Sequence, residues 1–352
     1  LSLKHYGYAW GLPVGLLFIA LGYGLLFWII AWLSEKLESL TALPSVFTKA
    51  LGVLVLSLIH PFGFDWYKPE LMFLNSYLGV EKWQFFLILF AFSLSLWRHQ
   101  LRYLLLILLA YTPTTATTPQ TFDDIALVTT NVTVKDKWDT KLHEQQFEQF
   151  YETIDQAIDA NKSLIILPES VFPVFVNHTQ SIIDNLQKRA KEISIITGGL
   201  YWDGKTPRNS TYIFTDGKIT VANKVLLVPF GESNPLPDFL SKWVNEVFYD
   251  GAVDYVASSD IIDYQVGQET YRNAICFEAT SEVLYTKDKD GNRPKQMIVL
   301  SNNGWFTPST EPTLQRLLLQ YYSKKYGTTI FHAINMSDSY IIHNGQKLNV
   351  KR

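Results

Sequence analysis

The sequence predicts an α/β layered domain preceded by a transmembrane α-helical region. Two observations carry this reading. Residues 1 to 115 are strongly apolar while the remainder reads as a soluble domain, an asymmetry hidden by a mean hydropathy of +0.04. Beyond that point short apolar runs alternate with amphipathic helical stretches, the pattern of strands and helices stacked in layers. The expected division is a membrane region at 1–115 and a soluble α/β domain at 116–352, and 352 residues suffice for two domains.

Tyr6 to Leu33 carries no charged side chain and is long enough to cross a hydrocarbon core of about 30 Å. Trp10, Trp28 and Trp32 lie towards its ends, as interfacial aromatics do. Ser34 to Ser45 reads as a polar connection, and Val46 to Phe64 as a second span, after which Pro61, Gly63 and Pro69 break the pattern into a loop. Trp83 to Trp97 and Tyr103 to Tyr111 are each below the usual span of about 20 residues. Joined by the basic turn Arg98-His99-Gln100-Leu101-Arg102, they read together as a transmembrane hairpin. Lys and Arg in short loops favour the cytoplasmic side, so Arg98 and Arg102 put the tip inside and deliver everything after Pro113 outside. Thr112 to Thr121 is the linker.

Ile125 to Val128 opens the soluble part as a strand, and Leu142, Phe147, Phe150, Tyr151, Ile154 and Ile158 place a helix on 139–161. A strand ending at Glu169 follows. A helix through Ile182, Ile183, Leu186 and Ala190 leads to a strand at Ile193 to Thr197. Strands at Thr211 to Phe214 and Lys218 to Ala222 flank the turn Asp216-Gly217. The last strands expected are Tyr271 to Ile275, Met297 to Ser301 and Thr329 to Ile334, with a helix between the final two.

A net charge of −3 and a pI near 6.2 give no electrostatic case for nucleic acid. One cysteine excludes an intramolecular disulfide, and the seven histidines show no metal-ligand spacing. No glycine-rich phosphate loop is present, and the chemistry calls for no cofactor.

That single cysteine, in Arg272-Asn273-Ala274-Ile275-Cys276-Phe277-Glu278, sits where a strand leaves its sheet, a natural place for a nucleophile. Taken alone, a free cysteine is more often a small buried hydrophobe. Two further stretches reverse that balance: Leu167-Pro168-Glu169-Ser170 after an apolar run, and Lys224-Val225-Leu226-Leu227-Val228-Pro229-Phe230-Gly231-Glu232. Glu, Lys and Cys on strand edges in this order resemble the triad of the nitrilase, or carbon–nitrogen hydrolase, superfamily. The wording of the motifs is similar to the apolipoprotein N-acyltransferase family: PE[ST]xxP at Pro168 to Pro173, K-x-x-LVPFGE-x-x-P at Lys224 to Pro235, IC[YF]E at Ile275 to Glu278, and SN[DN]xWF at Ser301 to Phe306. The motif resemblance covers roughly residues 70 to 345. It departs at His332-Ala333-Ile334-Asn335-Met336-Ser337-Asp338-Ser339, where the family has R-x-x-N-x-G-x-[ST], so that wall of the pocket is expected to differ.

The resemblance implies a nitrilase-like αββα sandwich and a ping-pong acyl transfer. Cys276 would be the nucleophile that leaves a thioester, Glu169 the general base, and Lys224 the partner of the oxyanion. The donor implied is a membrane phospholipid, and the acceptor is the α-amino group of the diacylglyceryl-cysteine of an apolipoprotein. The implied setting is the bacterial inner membrane, with the catalytic domain on the periplasmic side and the bilayer itself as a partner. Glu232 either orients Lys224 or caps a turn; Glu278 either positions the amine or closes an ion pair. Phe277 and Asn302 belong to the supporting set, and Trp305 and Phe306 either line an acyl channel or simply pack. A membrane-tethered amidase shares the triad, and a silent membrane scaffold shares the fold.

Phe239, Leu240, Trp243, Val244, Val247 and Phe248 form one apolar stripe on a helix after Pro235 and Pro237. Phe239, Trp243 and Phe248 are expected to dip into the outer leaflet as a lid, although such a stripe packs on the core in an ordinary soluble domain. The chain begins at Leu1 with no signal-peptide pattern, which is read as a piece of a longer precursor lacking membrane helices at its start. The resemblance implies one further membrane helix after the soluble domain.

Overall fold

The computed structural model describes residues 11–65, 67–113, 121–229, 231–233, 255–287 and 291–349. They belong to two compact units, Gly7–Thr118 and a unit that includes Pro119–Arg352.

In the first unit α1 spans Gly11–Leu40, α2 Ser45–Leu56 and α3 Lys82–Arg98, followed by a 3-10 segment Leu101–Ala110. α1 continues past Leu33 through the stretch expected to be a polar connection. Glu35, Lys36, Leu37 and Glu38 are good helix formers, and nothing breaks the chain before Pro44. The second expected span is also corrected: its helix stops at Leu56, and the chain turns through Pro61–Gly63. Among the described residues, Pro13–Leu40 is the one helix long and apolar enough to cross a membrane. Leu16, Leu21, Leu25 and Trp28 are exposed along it, an apolar surface suited to lipid rather than water.

α3 and the 3-10 segment do fold back on each other. Glu81 and Gln84 form a capping box at the start of α3, and His99 takes a left-handed conformation (φ 54°) at its end. The amide of Gln84 donates to the Ala110 carbonyl (3.2 Å) and to Thr112 (2.9 Å), tying the two ends of the hairpin.

Two sheets form the centre of the second unit. The first runs β1 (Ile125–Leu127), β3 (Leu164–Ile166), β5 (Ser194–Trp202), β6 (Pro207–Thr215) and β7 (Lys218–Asn223), with β4 (Phe172–Phe175) beside β5. The second runs β13 (Gln346–Asn349), β12 (Tyr340–His343), β11 (Thr329–Asn335), β10 (Gln296–Asn302), β9 (Glu269–Ile275) and β8 (Asp263–Val266), with β2 (Thr129–Thr130) beside β11. β1, β3 and β5 are parallel, as are β9, β10 and β11, while the later strands of each sheet turn back antiparallel.

Period-two alternation sorts the side chains into layers. Leu164, Ile166, Ile196 and Ile213 of the first sheet meet Tyr271, Ile298, Leu300 and Phe331 of the second. Their neighbours Ile165 and Ile195 point the other way, against Tyr151, Ile154, Ile182 and Leu186 of helices α4 (His143–Asp159) and α5 (Gln180–Arg189). Helix α6 (Glu311–Tyr326) packs on β11 to β13 of the second sheet. Helix, sheet, sheet, helix is the αββα sandwich. β4, β8 and the β12–β13 hairpin were not anticipated. The hairpin did carry a signal: Asn344 and Gly345, both at positive φ, form the two-residue turn that joins such strands.

Candidate active site

Glu169, Lys224 and Cys276 lie just beyond the ends of β3, β7 and β9, and all three are buried. At Glu169 the chain turns sharply, with Ser170 at φ 50°, and β5 passes against that turn at Gly198. A Cβ on Gly198 would stand 2.4 Å from the Ser170 nitrogen and 2.8 Å from the Glu169 Cα. Only glycine permits that approach. At the end of β9 Cys276 itself adopts φ 53°, opening the 3-10 turn Cys276–Thr280. A left-handed cysteine costs on the order of 1 kcal/mol, and such strain collects at functional sites.

Lys224 reaches the Glu232 carboxylate at 2.7 and 2.9 Å. The same carboxylate accepts from the Val228 N–H at 2.9 Å, so Glu232 both holds the lysine and closes the turn after it. Asn209 of β6 donates to Glu169 Oε1 (2.8 Å) and to Glu232 Oε1 (3.0 Å), bridging the two carboxylates. Lys137, on the single helical turn Val134–Lys137, donates to the Glu169 carbonyl at 3.0 Å.

Glu278 departs from both roles open to it in the sequence. Its two oxygens accept from the N–H groups of Ile275 (2.7 Å), Val225 (2.8 Å) and Leu226 (3.1 Å), and it is 1% exposed. It therefore ties the cysteine turn to the lysine turn instead of facing a substrate or closing a direct ion pair. Asn302 Oδ1 accepts from Gly304 N–H and from Asn335, and Asn335 in turn clamps Val132 through both its donor and its acceptor. Trp305 and Phe306 are half-buried at the end of the 3-10 turn Asn303–Trp305, and Phe277 is half-buried beside the thiol position. In the stretch that departs from the family pattern, His332 is fully buried between Ser301 (2.7 Å) and the Tyr340 hydroxyl (2.9 Å).

Burial and the nearby Glu169 charge push the Cys276 thiol well above its usual range, against the opposing pull of Lys224. Burial likewise raises Glu169, despite Lys224 and the Asn209 hydrogen bond. Burial works to lower Lys224, but the carboxylates of Glu232 and Glu169 outweigh it and hold the ammonium charged. Glu278 is pushed up to about 7 by burial, with Lys224 and its backbone donors opposing. A protonated thiol, a carboxyl of raised basicity and a fixed cation are thus within electrostatic reach of one another. That set can pass a thiol proton to carboxylate and hold a developing oxyanion.

Residues 1–115 match the family model described as the apolipoprotein N-acyltransferase integral membrane domain. A Wolinella succinogenes protein named apolipoprotein N-acyltransferase is 40% identical over 348 residues, covering 97% of this chain and 80% of its own length. The chain belongs to the apolipoprotein N-acyltransferase family. The Helicobacter pylori relative of the same name is 32% identical over 350 residues, with 97% of this chain and 79% of its own covered. Both alignments extend through the membrane region that the motifs did not reach. A carbon–nitrogen hydrolase superfamily protein from Xanthomonas campestris, solved with an arsenic adduct in its active site, is similar over 63% of this chain and 83% of its own, at 14% identity and a TM-score of 0.49.

Four residues escaped sequence reasoning: Asn209 and Lys137, which hold Glu169, and, on the helix beside the thiol, Gln315, whose Nε2 lies 3.9 Å from Cys276 Sγ, and Glu311, whose charge acts on that thiol. Asn209 and Lys137 stand in stretches with no local signal. Glu311 and Gln315 did have one, because Pro312 marks a helix start and residues four apart share a helix face. The expected lid, Phe239, Trp243 and Phe248, lies outside the described residues.

Proposed function

We propose that this membrane protein transfers an acyl chain from a phospholipid to the α-amino group of the lipidated N-terminal cysteine of apolipoproteins. The observation that carries the reading is the buried convergence of Glu169, Lys224 and Cys276 at three strand ends, in a chain that matches named acyltransferases along nearly its whole length. Glu169 takes the thiol proton as Cys276 Sγ attacks the donor ester. Lys224, held by Glu232, offsets charge on the carbonyl oxygen, and the lysophospholipid leaves with the proton from Glu169. The thioester then passes its acyl group to the amine. A soluble amidase has no need of a lipid-facing segment, and the relatives carry the acyltransferase name, so the amidase reading is set aside.

The test is intact-protein mass spectrometry after incubation with phospholipid vesicles. Cys276 should gain one acyl chain and lose it when a diacylglyceryl lipopeptide is added. Cys276→Ala should not load, and Glu169→Gln should load roughly 100-fold to 10,000-fold more slowly, the range of a lost general base. Loading that persists in Cys276→Ala overturns the assignment.

The proposal extends to placement: a multi-pass protein of the bacterial inner membrane, the turn at Arg98 and Arg102 cytoplasmic, the catalytic domain periplasmic. A lid carrying Phe239, Trp243 and Phe248 that dips into the outer leaflet and gates lipid entry to Cys276 belongs to the same reading.

A further inference from the structure

Helix α6 begins beside the thiol. Gln315, 2% exposed, brings its amide Nε2 to 3.9 Å from Cys276 Sγ, and Glu311 stands one turn earlier on the same face. Two acceptors there are buried without a hydrogen-bond partner among the described residues: Gln315 Oε1 and Glu311 Oε2. The other carboxylates of the site are engaged, Glu169 and Glu232 through Asn209, Glu232 also through Lys224, and Glu278 through three backbone N–H groups. Leaving a buried acceptor unpaired is costly, so a ligand that donates to both oxygens is favoured here. Three carboxyl groups, Glu169, Glu232 and Glu311, act on this thiol against the single cation Lys224, which favours a donor that is positively charged. A primary ammonium, with three N–H donors and one charge, fits.

We propose that Glu311 and Gln315 receive the α-ammonium of the acceptor beside the thioester, and that Glu311 takes its first proton. This rests on the acyl-transfer reading above. Glu311 as carboxylate accepts one proton from the ammonium, leaving a neutral amine. The amine nitrogen attacks the thioester carbon; the C–N bond forms and the C–S bond breaks. The second proton passes from nitrogen through Glu169 to the departing sulfur, restoring the thiol, and Glu311 returns its proton to solvent. Burial, with Glu169 nearby, pushes the Glu311 carboxyl up to about 7, which leaves a base poised near neutral pH.

The experiment separates the two half-reactions on the full chain in phospholipid vesicles. Acyl loading of Cys276 is followed by mass, and unloading is then started with a synthetic diacylglyceryl-cysteine peptide. Glu311→Gln should load within about twofold of wild type but unload to the peptide on the order of 100-fold more slowly, the lower end of the range for a lost acid–base group. Hydroxylamine, a nucleophile already uncharged at neutral pH, should unload both proteins at equal rates. Glu311→Asp should recover part of the peptide reaction, and Gln315→Leu should raise the peptide KM more than it lowers kcat. Normal peptide unloading in Glu311→Gln overturns the proposal. So does a fall in loading and in hydroxylamine unloading that matches the loss with peptide, since that marks a merely structural role. If Glu311→Gln does not fold, Glu311→Asp and Gln315→Leu decide, and peptide unloading at wild-type rate and KM in both overturns the idea. A wild-type chain that never loads strikes the acyl-transfer reading instead, and this inference falls with it.

Discussion

His332 shows how a single residue can couple the site wall to pH. It is sealed between Ser301 and Tyr340, and burial pulls its imidazole down to about 3 from an ordinary value of 6.5. Below pH 6.5 the unfolded chain takes up a proton that the folded chain refuses until about pH 3. Stability is therefore fully present above pH 6.5 and drains away as the pH falls through that window, by at most about 1.4 kcal/mol per pH unit. His332→Gln removes the titration. The difference in unfolding free energy between pH 7 and pH 5 should shrink by about 1–2 kcal/mol relative to wild type. An unchanged difference would show that His332 is already protonated or already wet in the folded protein.

At the scale of the element, the turns at strand ends do the positioning. Glu278 joins the cysteine turn to the lysine turn through backbone N–H groups, and Gly198 lets β5 close on the Glu169 turn. The segment after the lysine turn is the least constrained by sequence alone. Its stripe of Phe239, Trp243 and Phe248 fits a membrane interface or a protein core equally well by spacing. Replacing all three with Ser separates these. A lid predicts acyl loading from vesicles slowed about tenfold or more, the melting temperature staying within a few degrees of wild type. Each Trp or Phe lost from a core costs about 3 kcal/mol or more, so a core stripe predicts an unfolded triple mutant.

For the whole molecule, the proposed direction across the bilayer follows from one basic turn. The hairpin of α3 and Leu101–Ala110 is shorter than two full spans, yet its tip carries Arg98 and Arg102, with Arg98 over the Trp97 ring. Interfacial Trp and a basic turn are the features that anchor a cytoplasmic edge. Reporter fusions after residue 100 and after residue 120 should therefore give opposite signals, cytoplasmic first and periplasmic second. Equal signals would place both fusion points on one side and remove the hairpin as a crossing.

Sequence alone was enough for the parts of this protein that are local. Short apolar runs marked β3, β10 and β11, and the motif words put Glu169, Lys224 and Cys276 at strand ends, because runs and motifs are written in consecutive residues. It went astray where local signals were balanced, as at Ser34 to Leu40, whose charges suggested a loop while their helix propensity prolonged α1. The tertiary structure decided the surroundings. Asn209 meets Glu169 across 40 residues of chain, and Gln315 meets Cys276 across 39. Neither meeting leaves a trace in its own neighbourhood, since only the packing of two sheets and a helix brings such side chains together. Burial has the same origin: the thiol, the carboxyls and the imidazole are shifted because the closed sandwich excludes water from them, and exclusion of water is a property of the assembled fold.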